Sequence, residues 1–145
     1  MEHIWTLVCH ITSEDKNTGA FSLINALERI EFSGDPAQLD ADQFVVPLNY
    51  HLVTTWWCEN PEECTESQIR VRLISPNNED LGGPDLDVSF GDSQYSRFNL
   101  NLQGFPYKGD GVYRYVVSRV LGDEEVEVQR IPIAVERLPF EPPQN

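Results

Sequence analysis

The run from Gly109 to Glu136, GDGVYRYVVSRVLGDEEVEVQRIPIAVE, admits few conformations other than two β-strands joined by a tight turn. Val112 to Leu121 is rich in β-branched and aromatic residues, whose stiff side chains suit a pleated surface. Gly122-Asp123 supplies a glycine-led two-residue turn, and Val126 to Val135 resumes the β-favouring pattern. Pro132 has no N–H to give to a ladder, which predicts an edge position or a bulge. Tyr113 follows Gly109-Asp110-Gly111 as a tyrosine does at the corner of many β-sandwiches. Together these features place the chain among all-β folds, and they name no reaction.

The rest of the chain alternates with period two between turn residues, without a repeat, a low-complexity tract or an interdomain linker. His3 to Thr12 is apolar on both faces and predicts an interior strand. After the polar turn Ser13 to Gly19, the segment Phe21 to Phe32 is ambiguous. Leu23, Leu27 and Ile30 recur at helical spacing, yet its Phe-rich, Ile-rich ends favour a strand paired with the first. Ser33 to Asp42 reads as a connection. Gln43 to Cys58 is the longest β-type stretch, and Pro47 within it predicts a bulge or a break. Gln68 to Ser75, Asp85 to Phe90 and Ser96 to Leu102 each alternate a dry face with a wet one. The expectation is seven to nine strands in two packed antiparallel sheets, an immunoglobulin-like or C2-like sandwich with at most one short helix. It occupies 1–138, with 139–145 as a Pro-rich C-terminal tail.

A chain of 145 residues, 40% apolar and 23% charged, can bury a core without disulfide staples. Its net charge of −14, from 24 acidic against 10 basic residues, opposes nucleic-acid phosphates and anionic headgroups alike, so neither nucleic acid nor membrane is an expected partner. The excess lies in three predicted loops around Glu59 to Glu66, Glu79 to Asp87 and Asp123 to Glu127. Solubility is its plain consequence; a basic partner surface or a divalent cation is the alternative. The N-terminus shows no charged region followed by a long apolar stretch, which makes the cytoplasm the expected location.

Catalytic constellations are hard to assemble from these residues. There is no G-x-S-x-G, and His3, His10 and His51 all fall in predicted strands. Gly82-Gly83-Pro84 lacks the lysine and following helix of a phosphate-binding loop. Neither CxxC nor HxxxH-type spacing offers a metal site, and no cofactor is expected. Asp85 and Asp87 share one wet face of a strand, where they are hydrophilic before they are calcium ligands. Cys9 reads as an inert core thiol. Cys58 and Cys64 flank five residues and could close a small disulfide loop, but without a secretion signal they are expected to be free thiols.

Trp56 and Trp57 are the surface candidates. Adjacent strand residues point to opposite faces, so both indoles cannot enter one core. An exposed Trp beside Tyr50 would suit a protein-interaction hot spot; the competing reading is that strand ends cover it.

The order of a short N-terminal strand, an Asn-Thr-Gly turn, the segment F-S-L-I-N-A-L-E-R-I and a final G-V-Y-R-Y-V-V…I-P-I-A-V hairpin resembles a bacterial family of small uncharacterised β-sandwich proteins, a domain of unknown function. The resemblance covers roughly the first thirty and last thirty residues. It implies a bacterial β-sandwich and carries no catalytic residues with it. The functional expectation is therefore a non-catalytic, cytosolic protein-binding or assembly module, acting on a protein partner or on itself through a sheet edge or the Trp56, Trp57 and Tyr50 region. The alternative is a small-ligand- or calcium-binding sandwich that uses its acidic loops.

Overall fold

The computed structural model describes residues 1–34, 44–65 and 67–144. Its nine strands are β1 (Glu2–Glu14), β2 (Phe21–Ala26), β3 (Arg29–Phe32), β4 (Phe44–Trp57), β5 (Ser67–Ile74), β6 (Asp85–Asp87), β7 (Tyr95–Tyr107), β8 (Gly111–Leu121) and β9 (Glu124–Arg137). One sheet runs β2-β1-β4-β7 and the other β3-β9-β8-β5-β6. The chain is a two-sheet β-sandwich. Taking β1, β4 and β7 as strands A, B and E, and β5, β8 and β9 as C, F and G, the ladders are those of an immunoglobulin sandwich. Strand D, which would flank β7, has no counterpart among the described residues.

The terminal hairpin forms as its sequence dictates. β8 and β9 pair antiparallel from Gly111↔Val135 to Leu121↔Glu124, with Gly122 at φ 59° in the turn. Tyr113 is fully buried; its hydroxyl donates to Gly109 O at 2.7 Å and accepts from Lys108 N at 2.6 Å, which ties the entry of β8 to the corner before it. Pro132 pairs with Arg114, and β3 covers β9 only from Ala134 to Arg137, so the far side of Pro132 is a local edge inside an otherwise central strand. The hairpin's bulge lies elsewhere, between Val117 and Ser118. In β4 the register slips between Val46 and Asn49, the bulge that Pro47 demands.

Residues Phe21 to Phe32 form two strands and no helix. β2 pairs with β1, then the chain crosses to the other sheet at Leu27-Glu28, where Leu27 N donates to Val8 O and Ala134 N to Glu28 O. β3 then runs parallel to β9. The helical spacing of Leu27 and Ile30 reflects this crossing, because both side chains enter the common core.

β1 is interior only near Cys9. It pairs with β4 up to Cys9 and with β2 from Cys9 onward. Through the ladders Arg97 lies level with Trp5, whereas Phe21 lies level with Glu14, nine residues or about 30 Å along a straight strand. Yet the Arg97 guanidinium sits 4.3 Å from the centre of the Phe21 ring, and Asn99 donates to Thr12. The β1–β2 hairpin therefore folds back over the outer face of β4 and β7. Val53, Thr55 and Cys9, which point away from the sandwich core, are buried by that fold-back.

The expectation of free thiols at Cys58 and Cys64 is overturned. The two form a disulfide across a six-residue separation. A single 3-10 turn over Pro61–Glu63 reverses the chain, and both cysteines are buried where the end of β4 meets the approach to β5. The bond thus fastens one sheet to the other. Cys9 is buried and free, as expected, and burial pushes its thiol pKa up.

Candidate functional site

The residues first singled out for partner binding do not form a patch. Tyr50, Leu52, Thr54 and Trp56 share the inward parity of β4. Trp56 has no exposed surface; its Nε1 donates to Thr54 Oγ1 at 2.8 Å and its ring meets His3 edge to face. Thr54 Oγ1 also bonds Thr6 Oγ1, which bonds His3 Nε2. A polar chain thus threads the core, and burial lowers the His3 pKa from its ordinary value. Tyr50 is equally buried, hydroxyl to hydroxyl with Tyr115. Trp57 alone points outward, half-buried beside the disulfide loop. Parity set the two indoles on opposite faces; carried back to Tyr50, the same count places Tyr50 with the buried one.

The acidic loops are partly neutralised. Asp85 accepts from Arg70 and Arg72, and the Arg70 hydrogen bond, with Arg72 beside it, holds its carboxyl below the usual range. Arg70 also pairs with Glu125, and Asp87 accepts from Gln68. Among the described residues no group of three or more His, Cys, Asp or Glu is placed to hold a metal ion. Nor is any described helix long and apolar enough to cross a membrane.

What the sandwich does present is an edge. Among the described residues the ends of its sheets are β2, six residues long, β3, four, β6, three, and β7, thirteen. The open flank of β1 beside an apolar groove of about 440 Å³ is already engaged, because the Gln129 amide accepts from Thr6 N and donates to Thr6 O. β7 carries no such cap. Tyr95 N at its start donates to Ser93 Oγ, but from Arg97 onward its row of main-chain donors and acceptors on the side away from β4 is unpaired among the described residues, which is the condition that lets a sheet grow by one strand. Native edges are commonly blocked by inward-pointing charges, whereas β7 turns Phe98, Leu100 and Leu102 inward and leaves each half-buried. In a chain of net charge −14, its thirteen residues include no carboxylate.

Beside this edge lies a cleft of about 180 Å³, with Leu100 and Leu102 on one side, Val71 and Leu73 of β5 opposite, and Tyr50 and Tyr115 at its inner end. That juxtaposition stacks β7 over β5. The other sheet continues one strand further, since the segment from Asp80 to Asp87 runs along the far side of β5. Val71 N donates to Pro84 O, Leu73 N to Gly82 O and Leu81 N to Leu73 O. Arg72 Nη1 reinforces it by donating to Gly83 O and Pro84 O. Gly83 is required there: at φ +151° a Cβ would stand 2.0 Å from Val71 O. The result is a ledge carrying Leu81, Pro84 and Leu86, half-buried, beneath a position next to β7 that no strand among the described residues fills. The period-two pattern of Ser96 to Leu102 marked a strand, and nothing within it marked the end of a sheet.

No family model matches the chain, and no curated protein or solved structure matches it.

Proposed function

We propose that this protein is a non-catalytic binding module that docks a protein partner by adding a strand to the outer edge of β7. The observation that carries the reading is the edge of β7, open from Arg97 onward among the described residues, with half-buried leucines and no carboxylate, in a molecule whose other described sheet ends are short. Strand addition draws affinity from main-chain hydrogen bonds and specificity from alternate side chains that enter pockets, and the cleft between β7 and the Asp80 to Asp87 ledge supplies such pockets. Trp56 and Tyr50, buried, support the fold beneath this edge, and Tyr50 closes the inner end of the cleft.

The test is photo-crosslinking in the cell that makes the protein. A photoactivatable residue replaces Asn101, exposed on β7, or Val126, near the start of β9. The expected result is a discrete adduct with another polypeptide from Asn101 and none from Val126. Equal adducts from both positions, or none from Asn101, would refute the reading.

A further inference from the structure

We infer that the occupant of the β7 edge is a lone extended peptide segment, apolar at alternate positions and net basic, and not a second folded copy of this chain. The inference rests on the reading of β7 as a docking edge and names what docks there.

Shape excludes the second copy. In this sandwich β7 lies over β5, about 10 Å above it. A copy that paired its own β7 antiparallel to this one would bring its β5 to the same depth beneath the added strand. That volume is filled by the Asp80 to Asp87 ledge, held on β5 by the backbone bonds of Val71, Leu73 and Leu81 and by Arg72. A single strand with nothing attached beneath it meets no such obstacle. It would lie above the ledge, its inward side chains between Leu100 and Leu102 on one side and Leu81 and Pro84 below. The ledge is eight residues long, Asp80 to Asp87, so the segment it supports is about 26 Å in extended form.

Charge selects the chemistry. Asp85 and Asp87 pair with Arg70 and Gln68 on the face of the ledge turned away from β7, whereas Glu79 and Asp80, at its start, are exposed and make no ion pair among the described residues. The edge strand itself offers only Arg97 as a charged group. A segment that carries Lys or Arg is therefore drawn by Glu79, Asp80 and the net charge of −14, whereas an acidic one is repelled by both.

The probe is a display library of random peptides of about ten residues, close to the length the edge can pair, selected on the intact protein. Enriched peptides are then measured against wild type, Leu100→Lys and Leu102→Lys, each variant first checked for a cooperative melt. Sedimentation velocity and backbone amide exchange on the wild-type protein accompany this and depend on no variant. The expected result is a monomer that enriches alternating, net-basic peptides, which protect amides of β7 and lose at least tenfold in affinity on either lysine variant. Absence of enrichment, or enrichment of acidic or non-alternating peptides that still protect β7, would overturn the assigned chemistry and leave the edge standing. A wild-type dimer with protected β7 amides would overturn the exclusion of a second copy. Peptides that protect other strands and ignore both lysine variants would refute the docking edge itself.

Discussion

Tyr113→Phe isolates the corner that anchors β8, and its cost can be worked from two hydrogen bonds. The hydroxyl donates to Gly109 O at 2.7 Å and accepts from Lys108 N at 2.6 Å, while the ring is fully buried against Phe105, with centroids 5.0 Å apart. The substitution keeps the ring packing and removes both bonds. Each bond contributes about 1 kcal/mol net, and leaving its main-chain partner short of water adds to that, so a loss of about 3 kcal/mol is expected. For 145 residues the unfolding entropy is about 0.3 kcal/mol/K, which converts that loss to a fall of roughly 10 °C in Tm. The assay is urea unfolding followed by circular dichroism and fluorescence, with Tyr95→Phe as control because Tyr95 is 60% exposed. A Tyr113→Phe protein within about 0.5 kcal/mol of wild type would refute the assignment, since surface substitutions alone produce changes of that size.

Trp56→Ala should destabilise by about 4 kcal/mol as a buried large-to-small change, measured by the same unfolding assay, while Trp57→Ala costs markedly less. Cys58→Ser with Cys64→Ser should cost about 2 kcal/mol, the chain-entropy value for so short a loop, and denaturant midpoints with and without reductant check it on the wild type. Burial lowers the His3 pKa, so the unfolded chain takes up its proton first; stability is full above pH 6.5 and falls as pH drops through the depressed folded value. Stability measured from pH 7.5 to 5 should show this loss in wild type and lose that component in His3→Gln.

Local chemistry was legible from the sequence, and long-range placement was not. The β8–β9 hairpin, the Tyr113 corner, the Pro47 bulge and the alternation of β5 each depend on residues within a few positions of one another. The crossing at Leu27, by contrast, follows from where Val8 and Ala134 stand, and nothing near Leu27 announces either. The fold-back of the β1–β2 hairpin is likewise set by Asn99 and Arg97, some eighty residues downstream. Cys58 and Cys64 were read through compartment rather than through geometry, and the 3-10 turn between them decided the matter. For the candidate site, parity along β4 was available and would have moved Tyr50 and Trp56 into the core. Which strand ends a sheet is a property of the whole topology, so β7 emerged as a sheet edge only once its neighbours were placed.

Amide hydrogen exchange along β7, read residue by residue by NMR on dilute isolated protein, tests the docking edge most directly. A strand paired on one side only points alternate N–H groups at its neighbour and the others at solvent. The account therefore requires a period-two pattern from Ser96 to Gln103, slow amides facing β4 alternating with amides that exchange nearly as fast as an unfolded chain, and loss of that alternation when a partner segment binds. Uniform protection along β7 in the isolated monomer would mean that the edge is already covered, and the proposed function would fall with it.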